Sequence, residues 1–134
     1  MRFLLNTNAV IALVGEVSTA LVQRVLECRE GEIGLSSIVA HELYYGAYKS
    51  RRISHNLETL RLLLKDFVIV DFGREDARAS GEIRGALAAS GTPIGPYDVL
   101  IAGQAKARDL TLVTGNTSEY RRVAGLRVED WTRT

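Results

Sequence analysis

Short apolar runs alternate along the chain with longer segments whose apolar residues recur at helical spacing. Five runs rich in β-branched or bulky apolar residues predict strands over residues 2–6, 32–36, 67–72, 110–114 and 126–131, which read RFLLN, EIGLS, FVIVDF, LTLVT and LRVEDW. Because helical segments separate these runs, we expect crossover connections and a mainly parallel sheet with helices on both faces. The pattern therefore predicts an α/β fold, a three-layer α/β/α sandwich around about five strands.

The segments between the strands carry helix signals of their own. A short apolar segment follows the first strand, and then Ser18 is expected to cap the helix TALVQRVLEC. Ser37 is expected to cap the next helix, IVAHELYYGAYKS. In HNLETLRLLLKDF, four leucines are predicted to share one helix face: Leu57, Leu60, Leu63 and Leu64. Two further helices are predicted in DARASGEIRGALAAS and, after Gly95 and Pro96, in YDVLIAGQAKARD.

Composition limits the classes of protein this chain can be. With 134 residues, 46% of them hydrophobic, the chain is expected to form a single domain over residues 1–134 with one core. A net charge of +1 neither requires nor excludes a nucleic-acid partner. Cys28 is the single cysteine and is expected to fill core space. No apolar run approaches the roughly 20 residues that cross a bilayer, so we expect a cytoplasmic protein without membrane contacts.

Polar residues follow the predicted strands at the edge where parallel sheets bind ligands. Asn6 ends the first strand, and Thr114 ends the fourth with Asn116 two residues later. Glu42 lies in the early turns of the helix after the second strand, and Asp98 lies in the first turn of the helix leading to the fourth. Because the carboxyl ends of parallel strands share one edge, we expect these side chains to converge.

Acidic and amide side chains gathered in one cleft indicate a cation site, because without a cation the acids repel each other or the oxygens lack partners. Oxygen ligands without histidine or thiol favour Mg²⁺, with Mn²⁺ as a substitute, over zinc. Structural alternatives stay open: Glu42 and Asp98 also suit helix N-termini, and Asn6 and Asn116 also suit turns or caps. His41 adjoins Glu42 but falls on another helix face, so we expect it to have a packing role.

Three long motifs resemble one known family. The stretches are LLNTNAVIAL, SSIVAHELYYGAYKS and GTPIGPYDVLIAGQAKARDLTLVTGNTSEYRRVAGLRVEDW. Together they resemble VapC-type PIN-domain endoribonucleases, the toxins of type II toxin-antitoxin pairs, over nearly the whole chain. By position, Glu42 and Asp98 match acidic active-site residues and Asn116 matches a site that is Asp or Asn in the family. Thr114 matches a neighbouring polar residue, and Glu119 is a candidate fifth member of the site.

The first motif departs from the family at one residue. The family reads D-T-N where this chain reads N-T-N, so Asn6 stands where an aspartate is expected to ligate the metal beside Asp98 and Glu42. At an effective dielectric of about 20, a unit-charge contact near 4 Å is worth roughly 4 kcal/mol, and about twice that for a divalent ion. The resemblance therefore implies a chain that folds normally but is inactivated or strongly impaired, by deliberate replacement or by natural divergence.

The resemblance implies an activity and its partners. The activity is Mg²⁺-dependent hydrolysis of RNA phosphodiesters, with an initiator tRNA as one candidate substrate. The partners are a VapB-type antitoxin, which inserts a basic segment into the acidic pocket, and a second copy of the toxin within a larger complex. Substrate contacts are expected from Thr114, Arg84 and Lys49, and exposed tyrosines can stack on bases or pack against a partner. The tyrosines in question are Tyr44, Tyr45, Tyr48 and Tyr97.

Two other functions are alternatives to this one. A phosphotransferase of the haloacid dehalogenase class needs an aspartyl nucleophile followed two residues later by another aspartate, and N-T-N supplies neither. A PIN module that binds RNA or an antitoxin without cutting remains an alternative for a chain with Asn6.

Overall fold

Five parallel strands form the centre of the protein, in the order β3-β2-β1-β4-β5, in a computed structural model that describes residues 1–133. The strands are β1 (Phe3–Leu5), β2 (Ile33–Ser36), β3 (Val68–Val70), β4 (Thr111–Val113) and β5 (Val128–Glu129). In register, Leu4 of β1 lies opposite Gly34 of β2 and Leu112 of β4. The predicted α/β fold with a five-stranded parallel sheet is confirmed, and the strands are shorter than the apolar runs.

Helices fill every connection between strands and flank the sheet. They are α1 (Thr7–Val14), α2 (Thr19–Glu27), α3 (Ser37–Tyr48), α4 (Ile53–Leu64), α5 (Arg74–Ala89), α6 (Pro96–Ala107) and α7 (Thr117–Tyr120). No single helix in the described chain is long and apolar enough to cross a membrane; α1 and α2 pass that test of length and composition only as a pair, bent by 103°.

One predicted helix cap is confirmed and one is wrong. Ser18 accepts a hydrogen bond from the backbone N–H of Leu21 at 3.2 Å, as expected for a cap. Helix α3 is capped by Ser36, which accepts from the Ile38 N–H at 3.0 Å, and not by Ser37. The Ser37 hydroxyl instead accepts from the Phe72 N–H at 3.2 Å, which ties the start of α3 to the chain after β3.

Burial on both faces of the sheet explains why successive residues of the central strands are all apolar. Leu4, Leu5 and Leu112 are fully buried in the central strands β1 and β4, because helices cover both faces of a parallel sheet. Leu26 of α2 is 75% exposed, so the apolar face of that helix is narrower than its sequence pattern predicts. Cys28 is half-buried against the core rather than inside it, and burial raises the pKa of its thiol.

A polar cluster fixes α5 and α6 to the end of β3. The Asp76 carboxylate is 2% exposed and accepts hydrogen bonds from the Arg108 guanidinium at 3.0 and 3.1 Å. Burial alone would raise the pKa of Asp76, but hydrogen bonds from Arg108 and the Gly73 N–H hold it below the usual range. Gln104 donates to the Val70 carbonyl at 3.1 Å, so α6 has a defined position relative to β3.

Helices α5 and α6 also approach each other closely at one glycine. A Cβ added at Gly103 would lie 2.5 Å from the backbone N and Cα of Ser80. Only glycine allows this separation without moving a helix backbone. The close contact sets the orientation of α6, which carries Asp98 in its first turn.

Candidate active site

The ends of two central strands place polar side chains inside the protein. Asn6 directly follows β1 and is 4% exposed, and Thr114 directly follows β4 and is 1% exposed. Asp98 reaches the same region from the first turn of α6, which begins after Gly95. The structure thus brings together three of the side chains that the sequence places at this edge.

A buried tyrosine connects these residues. The Asn6 amide Nδ2 donates to the Thr114 hydroxyl at 3.2 Å and to the Tyr120 hydroxyl at 3.1 Å. Tyr120 in turn donates to Asp98 Oδ1 at 3.0 Å. The Asn6 Oδ1 atom accepts from the Thr7 N–H at 2.8 Å, so every polar atom of the Asn6 side chain is used. We call the linkage Asn6–Tyr120–Asp98 the Tyr120 bridge.

Glu42 is held beside this cluster by α1. Its Oε1 atom accepts a hydrogen bond from the Thr7 hydroxyl at 2.9 Å, which links the second turn of α3 to the first residue of α1. Thr7 therefore contacts Asn6 through its backbone and Glu42 through its side chain. Thr7 is the middle residue of the N-T-N motif, but the motif alone does not show that its hydroxyl contacts Glu42.

Glu119 joins α7 to the start of α6. Its carboxylate accepts hydrogen bonds from the Asn116 side-chain amide and from the Gly95 N–H, the latter at 3.1 Å. Asn116 precedes α7, but its side chain makes no cap hydrogen bond there. A Cβ at Gly95 would lie 2.7 Å from Asp98 Oδ2, so glycine leaves the space that this carboxylate oxygen occupies.

The carboxylates of Asp98, Glu42 and Glu119 give this region a surplus of negative charge. Burial raises the pKa of Asp98, and the nearby charges of Glu119 and Glu42 raise it further, against the hydrogen bond from Tyr120. Burial and the charge of Asp98 raise the pKa of the Tyr120 hydroxyl far above its usual value. Tyr120 therefore keeps its proton at every physiological pH and acts as a donor to Asp98.

The oxygen ligands of this site suit a hard cation, but Asp98 and Glu42 supply two carboxylates where the family resemblance implies three. One oxygen of Asp98 accepts from Tyr120 and one oxygen of Glu42 accepts from Thr7, and carboxylate oxygens are ligands of the kind that Mg²⁺ takes. Within residues 1–133, no group of three His, Cys, Asp or Glu side chains is close enough to hold a metal ion. Asn6 adds no charge, and its only oxygen already accepts from Thr7.

Two predicted substrate residues lie outside the cluster. Lys49 caps the C-terminus of α3, about 10 Å along the helix from Glu42, and its Nζ lies 4.9 Å over the Tyr45 ring. Arg84 is exposed on α5 and lines a cavity of about 360 Å³ that Pro96 of α6 also lines. Neither side chain forms a hydrogen bond with the cluster, so their substrate roles remain predictions.

Tyr120 and Asn8, which are not among the predicted site residues, also contact the site. Tyr120 is fully buried, and a buried tyrosine hydroxyl needs a partner; that requirement is the one signal that could have found it. Asn8 accepts from the Thr114 hydroxyl at 3.1 Å and supports it from α1. His41 does pack, as expected, but on the surface: it is exposed, with its ring centroid 5.6 Å from that of Tyr97.

Comparison with known proteins assigns the chain to a family. The PIN domain model matches residues 3–126. The chain is 37% identical over 131 residues to the tRNA(fMet)-specific endonuclease VapC of Shigella flexneri, and the match covers 98% of each protein.

Solved structures agree with that match over the whole chain. One is the DNA-bound VapBC complex of Salmonella typhimurium, with a TM-score of 0.93, 37% identity and 98% of both chains covered. Another is VapBC2 of Rickettsia felis bound to a promoter DNA fragment, with a TM-score of 0.91, 34% identity and coverage of 98% of this chain and 99% of that one. The chain therefore belongs to the PIN-domain family and, within it, to the VapC ribonuclease toxins of VapBC toxin-antitoxin systems.

Proposed function

We propose that this chain is the toxin scaffold of a Mg²⁺-dependent tRNA endonuclease whose activity is strongly impaired by the amide at position 6. The observation that carries the proposal is the link from Asn6 to Asp98 through Tyr120 and to Glu42 through Thr7, at the carboxyl ends of the central strands. PIN-domain nucleases are typically metal-dependent. Asn6 occupies the position where the family resemblance implies an aspartate.

Asp98 Oδ2 and Glu42 Oε2 are the atoms of this chain that would hold the ion. When bound, Mg²⁺ lowers the pKa of a water molecule and neutralises charge on the phosphodiester. The protein's own part is positioning: Tyr120 holds one oxygen of Asp98, Gly95 leaves room for the other, and Thr7 orients Glu42. Thr114 and Asn116 form the polar wall beside Asn6.

The amide at position 6 reduces the attraction for a divalent ion. One missing unit charge near 4 Å corresponds to about 8 kcal/mol for a divalent ion at an effective dielectric near 20, before desolvation is subtracted. Even a quarter of that difference weakens binding by more than an order of magnitude, since about 1.4 kcal/mol is tenfold. Impaired cleavage follows from weak ion binding and not from a damaged fold.

Substrate and partners come from the relatives. Two curated relatives are named tRNA(fMet)-specific endonucleases, which supports an initiator tRNA as the substrate class. Similar structures are VapBC complexes, two of them bound to DNA, which supports a VapB-type antitoxin as partner. We propose a homodimer within that complex and a cytoplasmic site of action.

The decisive experiment compares tRNA cleavage by this chain and by Asn6→Asp, each with Mg²⁺ and with EDTA. We expect the Asn6→Asp variant to cleave initiator tRNA in Mg²⁺ at least tenfold faster than the chain with Asn6, and both to be inactive in EDTA. The variant Asn6→Asp with Asp98→Ala is the matched control and should not cleave. If Asn6→Asp cleaves no RNA, the nuclease assignment fails; if both forms cleave equally, the assigned role of position 6 fails.

A non-cleaving binding module is the second candidate. The Tyr120 bridge favours it, because the site is internally hydrogen-bonded without a cation when Asn6 is present. Adding an RNA-binding measurement to that experiment separates the two candidates. A binding module cleaves no RNA with either asparagine or aspartate at position 6, but both forms bind RNA.

A further inference from the structure

An aromatic pair lies on the surface beside the acidic cluster. The His41 ring, on α3, packs edge-on against the Tyr97 ring, on α6, with centroids 5.6 Å apart and planes at 60°. His41 directly precedes Glu42 in the chain and Tyr97 directly precedes Asp98, so the pair joins α3 and α6 at the turns that carry these two acids. Both rings are exposed, Tyr97 to 46%. Folding has thus placed two rings together in water where burial does not account for them.

The other exposed tyrosines of α3 do not share this arrangement. Tyr45 lies under the Lys49 ammonium, toward the C-terminus of the helix. Tyr48 is the last residue of α3, six residues beyond Glu42, or about 9 Å along the helix axis. Within the described chain, the rings of Tyr44, Tyr45 and Tyr48 have no aromatic partner, so His41 and Tyr97 form the exposed aromatic pair that joins α3 to α6.

We propose that His41 and Tyr97 form a base-stacking site that holds an unpaired nucleobase next to the cleaved phosphodiester. The chemistry of RNA recognition carries the choice of ligand, because unpaired bases stack on exposed aromatic rings whereas base-paired ones are inaccessible. Stacking also offsets a problem of this site: its surplus of carboxylates repels the RNA backbone, and an uncharged contact with a base escapes that repulsion. The proposal rests on the proposed ribonuclease function and adds how the substrate is oriented.

The Asn6 chain allows a direct test, because it binds RNA with little or no cutting under the proposed function. The probe is a short oligoadenylate carrying one 2-aminopurine, whose fluorescence falls on stacking, in a Mg²⁺ buffer. Tyr97→Leu and His41→Leu keep apolar bulk but remove the ring; we expect each to weaken binding about five- to one-hundredfold and to abolish the fluorescence change. Tyr97→Phe should bind like the chain with Tyr97.

Two controls separate stacking from general effects. Tyr48→Leu removes an exposed ring at the C-terminal end of α3, about 9 Å along the helix axis from Glu42, and should leave oligoadenylate affinity unchanged. An abasic oligomer with the same number of phosphates should bind weakly to every variant. Unchanged affinity in Tyr97→Leu and His41→Leu overturns the proposal and leaves the nuclease function standing.

The remaining outcomes also decide the matter. If the native chain and Asn6→Asp both fail to bind any RNA, the stacking site and the proposed function fall together. If the two leucine variants keep RNA binding but lose a VapB-type antitoxin, the pair is a protein contact and the stacking proposal is wrong.

Discussion

Replacing Asn6 by aspartate should lower the stability of the protein in the absence of a divalent ion, even though the two side chains have almost the same shape. The amide donates two hydrogen bonds, to Thr114 and to Tyr120, from a site that is 4% exposed. A carboxylate donates none. Tyr120 has one proton, so it cannot donate to the carboxylates at positions 6 and 98 at the same time.

The size of the effect follows from these contacts. Two lost neutral hydrogen bonds cost about 1–3 kcal/mol, and a buried charge beside Asp98 adds to that, so we expect a total of about 2–4 kcal/mol at pH 7. For a domain of this length, about 4 °C of Tm corresponds to 1 kcal/mol, so Tm should fall by roughly 8–16 °C.

The assay is thermal unfolding of four proteins in EDTA at pH 7: the native chain, Asn6→Asp, Tyr120→Phe and the double variant. Without the Tyr120 hydroxyl, Asn6 has one hydrogen bond fewer to lose, so Asn6→Asp should cost about 1 kcal/mol less in the Tyr120→Phe background. A native-like Tm for Asn6→Asp in EDTA, or an equal cost in both backgrounds, would refute the assignment of Tyr120 as the residue that couples positions 6 and 98.

Two further predictions concern stability. Burial and the charges of Glu119 and Glu42 raise the pKa of folded Asp98 above its unfolded value, so the ionised carboxylate destabilises the fold increasingly as pH rises from about 4 through the raised pKa. Asp98→Asn should therefore raise Tm at pH 7 but not near pH 3.5. An equal rise in Tm at both pH values would contradict the charge argument. Gly103→Ala should lower the free energy of unfolding by about 1–3 kcal/mol, because its Cβ would lie 2.5 Å from the Ser80 backbone. Gly85→Ala on α5, where a Cβ meets nothing within 4 Å, should raise the free energy of unfolding by about 0.5–1 kcal/mol. Urea denaturation of both variants measures this difference.

The sequence pattern predicts the frame of the site well, because strand ends and helix starts are local features. Alternating apolar runs place Asn6 and Thr114 at strand ends, and a Pro-Tyr-Asp segment places Asp98 in a first helical turn. Chain topology then requires these positions to share one edge of the sheet. The local signal is less exact at caps: two adjacent serines compete for α3, and burial at the strand end favours Ser36 over Ser37.

Contacts between distant segments are what the sequence could not predict. Tyr120 lies 114 residues from Asn6, in a four-residue helix whose aromatic residue looks like any core side chain. The position of His41 was likewise unpredictable, because its neighbour Tyr97 comes from α6 and the pair forms only when α3 and α6 pack. The positions of Arg84 and Lys49 relative to the site were also unpredictable, because the charge of a side chain does not show which way its helix surface faces.

The amide in the Tyr120 bridge also has a genetic consequence. Asparagine and aspartate codons differ only in their first base, so a single A-to-G transition in codon 6 would replace the bridge's donor with a carboxylate. The Asn6→Asp protein would be less stable than the Asn6 protein without a cation, and it would bind a cation more tightly. A gene encoding Asn6 is thus one mutation from a protein that is less stable without a bound cation, and selection for or against toxicity would act on that one base.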